Sequence, residues 1–384
     1  MANLFIRTSI APYRIDTYNA LAERLGMRMC FYSREDSEQH YDPTWIESQC
    51  RFTPTYLKGW HFGPESRTVC RGLGKLVRQE KPDIVIVPEF QFALWQMRWL
   101  RRFSRKKFKI VSMCDDSIDM ILQANDFSKG HRWLRGFVPK KLDDIITVTP
   151  EVCAWYREHF GKGQWLPIIM DEDRARETYR RLLPESARLE KEYGLQGKHV
   201  LLYVGRLVAL KNVEAVIDAY SRLQRDDTIL VIIGDGPERE RLEAMAKTLR
   251  TSRGMTGSQA ESIVFTGRLE GDALYAWYNL CDVLLLLSRR EAFGAVTGEA
   301  LMAGAKVLVS SKAGSACLVS EQNGAVADID DPEKTARQLA ELLSPVISSE
   351  AEKSSRCFDA LRPGNMNVTL NERIDALVKA WEER

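Results

Sequence analysis

Short, β-branched apolar runs alternate with helical stretches along this chain, and they do so in two successive series. The first series is Leu4–Arg7, Arg28–Tyr32, Asp83–Val87, Lys109–Met113 and Asp144–Val148. The second is Val200–Val204, Ile229–Ile233, Ile263–Thr266, Val283–Leu287, Val307–Ser310 and Gly324–Ala327. Runs that are apolar at every position, rather than at alternate ones, belong to strands covered on both faces, as in parallel sheets between helices. Two such series in 384 residues predict an α/β chain of two doubly wound domains. The first spans 1–170 and the second 171–368, with a break near 168–175 where Leu166-Pro167-Ile168-Ile169 gives way to Asp171-Glu172-Asp173 and a charged segment. The last stretch, 369–384, reads as an amphipathic helix with Ile374, Leu377, Val378 and Trp381 on one face. It could cross back to the first domain or cap only one.

Apolar residues make up 45% of the chain and charged residues 28%, a globular rather than a disordered balance. The net charge of +2 is too small for a nucleic-acid binder overall, so any basic function must come from a local patch. Cys30, Cys50, Cys70, Cys114, Cys153, Cys281, Cys317 and Cys357 include no CxxC pair, which fits neither a zinc site nor a disulfide framework. They read as buried small hydrophobes in a reducing, cytoplasmic compartment. The apolar run Leu4–Ile6 is strand-length and is followed by Arg7, unlike a signal peptide, and no stretch approaches the length of a spanning helix.

Cations cluster at the ends of the second-series strands. Gly205-Arg206-Leu207 follows Tyr203-Val204, and Lys211 lies at the start of the next helix. In a doubly wound sheet both cations would project where ligands bind, Arg206 gripping phosphate oxygens bidentately and Lys211 acting as a point charge. Alone, each also reads as a solvated surface cation. Ile232-Ile233-Gly234-Asp235-Gly236-Pro237 and Phe265-Thr266-Gly267-Arg268 are further strand ends with glycines, weak signals singly. The strongest feature is Arg290–Gly304, where Gly294 opens a helix that Gly304 closes. Free amides near Ala295 and Val296 can face an anion there. Glu291 precedes this helix and Glu299 lies within it, placed to accept hydrogen bonds from a ribose diol. Their plainer readings are an N-terminal charge favoured by the helix dipole and an exposed helix glutamate.

Taken jointly, these elements resemble family 4 glycosyltransferases of the GT-B architecture. The similar segments are GRLVALKN (Gly205–Asn212), IIGDGP (Ile232–Pro237), FTGRL (Phe265–Leu269), EAFGAVTGE (Glu291–Glu299) and ALMAGAKVLVSSKAG (Ala300–Gly314), then Asn323-Gly324, and the two glutamates match the family's E-x7-E pattern. The resemblance implies two Rossmann-like domains facing a cleft and a retaining, metal-independent transfer of a hexose-type sugar from a nucleotide diphosphate donor, UDP favoured. It implies a saccharide or lipid-linked saccharide as acceptor, as in bacterial surface polysaccharide or glycolipid synthesis. No cofactor is implied, the nucleotide sugar being a substrate. Carried across by position, Arg206 and Lys211 would bind the diphosphate, Glu299 the ribose and Glu291 the donor sugar. Backbone at Gly205 and Gly294-Ala295-Val296 would meet phosphates and sugar, and Gly267-Arg268 would lie near the base. A nucleotide-sugar epimerase and a non-catalytic nucleotide-sugar binding module share these features.

The first half matches less of the pattern. Ile10-Ala11-Pro12-Tyr13-Arg14 is similar to the acceptor-side loop of some members. Where many members carry a histidine this chain has Cys114-Asp115-Asp116-Ser117, so that Asp115 or Asp116 would either reach an acceptor hydroxyl or donor sugar, or cap the following helix. The segment Arg98–Lys109 mixes cations with Trp99, Phe103 and Phe108. It reads as a contact with anionic lipid on the inner face of the cell membrane, or as a solvated helix whose rings belong to the core. A nucleic-acid role lacks any supporting module. The acidic triplets Asp171-Glu172-Asp173 and Asp328-Ile329-Asp330 read as turn carboxylates rather than metal ligands.

Overall fold

The computed structural model describes residues 2–34, 42–61, 68–88, 91–122, 135–252, 262–343, 366 and 368–382. The chain forms two compact units, Met1–Met170 together with Leu370–Arg384, and Asp171–Thr369. The strands of the first unit are β1 (Asn3–Arg7), β2 (Met27–Phe31), β3 (Thr55–Tyr56), β4 (Gly59–His61), β5 (Thr68–Cys70), β6 (Ile84–Pro88), β7 (Lys109–Cys114), β8 (Asp144–Thr147) and β9 (Gln164–Trp165). Seven of them form one sheet in the order β3-β2-β1-β6-β7-β8-β9, while β4 and β5 pair separately. Every neighbouring pair in the large sheet is parallel.

The second unit contributes β10 (His199–Val204), β11 (Thr228–Ile233), β12 (Ile263–Gly267), β13 (Val283–Leu286), β14 (Lys306–Ser310) and β15 (Gly324–Ala327). Their order is β12-β11-β10-β13-β14-β15, again parallel throughout. Each strand expected from the apolar runs is present, with no end displaced by more than one residue. The short strands β3, β4, β5 and β9 carry too few residues to show a period, and only the structure reveals them.

Continuous burial explains the layering. All positions of β6, β10, β11 and β13 are buried. Alternate side chains of one strand enter different cores. Leu4 and Ile6 of β1 pack with Val85, Val87 and Ile110. Phe5, between them, turns the other way to meet Tyr18, with ring centroids 5.0 Å apart, and Phe31 at 6.3 Å. In the second unit Leu201, Tyr203, Leu230, Ile232, Leu285 and Leu308 share one cluster.

In each sheet the chain starts at an inner strand, winds outward, then returns to that strand's free side. The reversal falls between β1 and β6 in the first unit and between β10 and β13 in the second. Loops leaving two strands on either side of a reversal must part in opposite directions, which opens a crevice at their carboxyl ends.

The C-terminal helix Leu370–Glu382 completes the first unit. Its buried residues Leu370, Ile374, Leu377 and Trp381 recur at helical spacing. Arg373 donates to the Trp165 carbonyl at 2.8 Å, Lys109 Nζ to the Trp381 carbonyl at 3.1 Å, and Arg24 pairs with Asp375. The tie is centred on Asp144, 3% exposed at the start of β8. Its carboxylate accepts from the Ile145 amide at 2.9 Å, the Gly163 amide at 3.1 Å, Gln164 Nε2 at 3.1 Å and Trp381 Nε1 at 2.9 Å. One carboxylate thus satisfies donors from β8, β9 and the final helix.

Cys30, Cys70, Cys114, Cys153 and Cys281 are buried free thiols, and burial pushes that of Cys30 up to about 12. Cys50 and Cys317 are partly exposed, and Cys357 lies outside the described residues. No helix among the described residues is long and apolar enough to cross a membrane.

Replacing Asp144 by alanine orphans several buried donors at once. Such groups cost on the order of 1–3 kcal/mol each when unsatisfied. We expect Asp144→Ala to lower the unfolding free energy of the first unit by about 3 kcal/mol, read from urea titration. An unchanged midpoint would contradict the role given to this carboxylate.

Candidate functional site

The crevice of the second unit is bounded by the loops that follow β10 and β13, which are stitched together. Asn212 Nδ2 donates to the Leu287 carbonyl at 3.1 Å, and the Arg289 amide to the Leu210 carbonyl at 2.9 Å. Lys211 Nζ and Glu291 Oε2 form an ion pair, both side chains largely covered. The structure therefore brings together two residues separated by 80 positions in sequence. Arg206 is exposed on the same loop as Lys211 and has no ion pair among the described residues. Its carbonyl accepts from the buried Tyr203 hydroxyl at 3.0 Å, which fixes the turn behind it.

Three strand-end turns lie against one another behind this loop. The Gly205 amide donates to the Ile233 carbonyl at 3.0 Å, the Leu207 amide to Asp235 at 2.8 Å, and the Gly234 amide to Gly267 at 2.9 Å. Gly234 is required by proximity, since a Cβ there would lie 1.8 Å from the Gly205 oxygen. Arg268 is exposed and pairs with Glu270, its Nε 2.6 Å from Oε1. The sequence reading missed Arg239, which starts the helix after the Gly234–Gly236 turn and reaches toward both Gly267 and Asp235. A cation just after a glycine turn was its only signal.

Glu291 is held on its far side by the loop after β14. Its amide donates to the Lys312 carbonyl, and its own carbonyl accepts from the Gly314 amide, both at 3.1 Å. Three residues on, Gly294 adopts φ of +93°, in the left-handed region that favours glycine. A Cβ there would meet Leu286 Cδ2 at 2.6 Å and Ser315 Oγ at 3.0 Å. The helix Ala295–Met302 starts at this point. The amides of Ala295 and Val296 lie in its first turn, where no acceptor exists within the helix, so they are available to an anion. Thr297 and Ser315, both fully buried, link their hydroxyls at 2.8 Å and hold the helix start against the β14 loop.

Glu299 overturns its plainer reading. It is 8% exposed, not a solvated helix glutamate. The Tyr278 hydroxyl donates to its Oε2, and the Tyr179 hydroxyl to its backbone carbonyl, each at 2.8 Å. Neither tyrosine carried a sequence signal.

In the first unit Arg7, the last residue of β1, and Arg14 converge on Asp115, which follows β7. Arg7 Nη2 lies 2.9 Å and Arg14 Nη2 2.5 Å from the Asp115 carboxylate. Burial pushes that carboxyl up, but Arg14 and Arg7 together outweigh burial and hold it below the usual carboxylate range. Asp115 is thus a fixed anion, 39% exposed at its side chain. Asp116 is instead sequestered with Arg135 at 2.6 Å. The helix Ile118–Leu122 takes a cap from Ser117 Oγ, which accepts from the Met120 amide at 3.3 Å.

Other sequence features have structural duties. Asp171 Oδ1 caps the helix Glu172–Arg181, accepting from the Arg174 amide at 3.0 Å, and Asp173 pairs with Arg176. Asp328 Oδ1 accepts from the Asp330 amide at 3.1 Å in a turn. In the basic segment, Arg101 pairs with Asp143 and Lys106 with Asp83, while Lys107 donates to the carbonyls of Arg101 and Arg102 at a helix end. Arg102 and Arg105 remain exposed, beside Trp99 and Phe103, which are 63% and 66% exposed with ring centroids 5.0 Å apart.

Comparison with known proteins gives likenesses at two levels, sequence and fold. The 2-deoxystreptamine glucosyltransferase of Streptomyces kanamyceticus is 33% identical over 172 residues, 42% of this chain and 41% of the relative. The GDP-mannose-dependent alpha-(1-6)-phosphatidylinositol monomannoside mannosyltransferase of Mycobacterium tuberculosis is 28% identical over 224 residues, 54% of this chain and 55% of the relative. The chain therefore spans between about two fifths and just over half the length of these relatives. The crystal structure of Anabaena HepE in complex with UDP and glucose superposes with a TM-score of 0.71 at 15% identity, covering 100% of both chains. The fold is that of GT-B glycosyltransferases, two Rossmann-like domains, and residues 186–353 of the second match the family described as glycosyl transferases group 1.

Proposed function

We propose that this chain is a glycosyltransferase that moves a hexose-type sugar, with retention, from a nucleotide diphosphate donor to a saccharide or lipid-linked saccharide. The observation that carries the reading is the convergence, at the β10/β13 reversal, of Lys211, Glu291 and the start of the helix bearing Glu299. Breaking the bond between sugar and diphosphate builds negative charge on the leaving group. Fixed cations and helix amides stabilise that charge without reorganising. Arg206, Lys211 and the amides of Ala295 and Val296 take this role, Glu299 receives the ribose, and Glu291 faces the donor sugar.

The Lys211–Glu291 pair adds a step. An arriving diphosphate competes with Glu291 for the ammonium, so donor binding reorients the carboxylate next to the sugar it contacts. Two cations facing one diphosphate make a divalent metal dispensible in this reading, and turnover that survives EDTA is expected. Gly267-Arg268 and Arg239 stand where the base would lie. UDP is our choice of base, supported by the nucleotide in the HepE complex, against the GDP-mannose dependence named for the mycobacterial relative. A thermal-shift series with UDP, GDP and ADP tests it, since the bound nucleotide raises the melting temperature by mass action.

On the acceptor side, Asp115 serves as a hydrogen-bond acceptor for a sugar hydroxyl rather than as a base, because its two arginines keep it ionised. Trp99 and Phe103 with Arg102 and Arg105 form a patch suited to an anionic bilayer surface, rings in the interface and cations at the headgroups.

Removing one preorganised donor commonly costs on the order of 10²–10³ in turnover. We expect Arg206→Ala and Lys211→Ala each to lose about that much, also on the order of 10²–10³, in nucleotide release from the donor while remaining folded. A folded Arg206→Ala protein with near-normal rate would sink the assignment. Epimerisation without acceptor, or binding without turnover, would identify the epimerase or the binding module instead. Asp115→Asn should raise the acceptor KM with the fold intact, whereas Asp116→Asn should lower thermal stability. For the patch, Trp99→Ala with Phe103→Ala should abolish cosedimentation with phosphatidylglycerol vesicles, and retained binding would remove the membrane proposal.

A further inference from the structure

Glu299 is a carboxylate placed where carboxylates rarely go. It sits in the second turn of a helix whose neighbours Thr297, Gly298, Ala300 and Leu301 are all buried. Such a group persists only with hydrogen-bond donors aimed at it. One donor is Tyr278, the last residue of the helix Gly271–Tyr278 and 0% exposed. Burial first, and then Glu299 itself, push its phenol well above the usual tyrosine range, so it stays protonated and can only donate to this oxygen. Tyr275 packs between the two anchoring tyrosines, its ring centroid 6.1 Å from that of Tyr179 and 6.4 Å from that of Tyr278. The wall behind the glutamate is therefore itself immobilised by ring contacts.

The two tyrosine contacts do different things. Tyr179 holds the backbone carbonyl and so fixes the height of the helix. Tyr278 holds the carboxylate and so fixes the side-chain torsions. A carboxylate has about four acceptor positions on its two oxygens, so one phenol does not exhaust it. It does stop the group from rotating. A ribose diol presents two hydroxyls in fixed relation, and recognising both at once demands a carboxylate whose plane is already set.

We propose that Tyr278 is a positioning residue that presets Glu299 for a vicinal ribose diol and thereby sets discrimination between ribonucleotides and deoxyribonucleotides. The inference rests on the reading of Glu299 as the ribose-binding residue. It extends that reading to a residue outside the glycine turns and the glutamate pair.

The test compares UDP with 2′,3′-dideoxy-UDP by isothermal titration, with GDP and its dideoxy form run in parallel. A hydrogen bond to a charged group commonly changes affinity by about ten- to a hundredfold. The wild-type protein should prefer the ribonucleotide by about that factor, ten- to a hundredfold. Tyr278→Phe should weaken the ribonucleotide about tenfold and leave the dideoxy form unchanged, collapsing the ratio. Adding Glu299→Gln to Tyr278→Phe should cost less than the two single changes summed, because both act on one contact. The dideoxy form, bound equally by the wild-type protein and Tyr278→Phe, serves as the control for packing. A full ratio in folded Tyr278→Phe, or equal weakening of both nucleotides, would overturn the positioning role while leaving Glu299 in place. A wild-type protein that binds both forms equally would overturn it too, by removing the ribose contact itself.

Discussion

Two loops leave neighbouring strands in opposite directions, and the second unit is organised around what fills the gap between them. Where β10 and β13 lie side by side, the sheet has no single helix to cover their carboxyl ends. Backbone contacts close the floor, through Asn212 to the Leu287 carbonyl and the Arg289 amide to Leu210. Close glycine packing brings the β11 turn up behind it, with no room for a side chain at Gly234. Charge then collects on a rigid floor, Lys211 against Glu291 and Arg206 above the anchored Tyr203. Preorganisation follows from the strand order rather than from any one residue.

The first unit repeats the topology with different chemistry. Charge also gathers at its strand ends, but the centre is a carboxylate gripped by two guanidinium groups, Arg7 and the buried Arg14. Two cations beside one anion hold its carboxyl below the usual carboxylate range, which in the proposed function would suit recognition of hydroxyl groups better than proton abstraction. In the proposed function one unit would present cations to an anion and the other an anion to hydroxyls, a division that follows from which charged residues the ends of the inner strands and the loops after them carry.

Much of this architecture was legible in the chain because parallel strands buried on both faces write themselves as unbroken apolar runs. Val283–Leu287 and Ile229–Ile233 needed no partner to be recognised. Short edge strands such as β3 and β9 were not legible, since two residues carry no period. In the site, glycines and charges at strand ends were readable from spacing. Their supports were not, because Tyr278, Tyr179 and Ser315 look like ordinary core residues until the helices that bear them are packed. The basic segment shows the same limit in reverse. It read as cations mixed with aromatic residues, yet Arg101, Lys106 and Lys107 are consumed by Asp143, Asp83 and helix-end carbonyls.

The last helix belongs to the unit that is synthesised first. Asp144, Arg24 and Lys109 wait for Trp381 and Asp375, which the ribosome supplies only after the whole of Asp171–Thr369. At about 5–20 residues per second that interval is on the order of ten seconds or more. During it a nascent amino-terminal half lacks the buried face of that helix and holds a carboxylate short of one of its donors, a surface open to chaperones. Tethering its two ends through the other unit also means that neither half can be released by a single cut in the chain without leaving the first one incomplete.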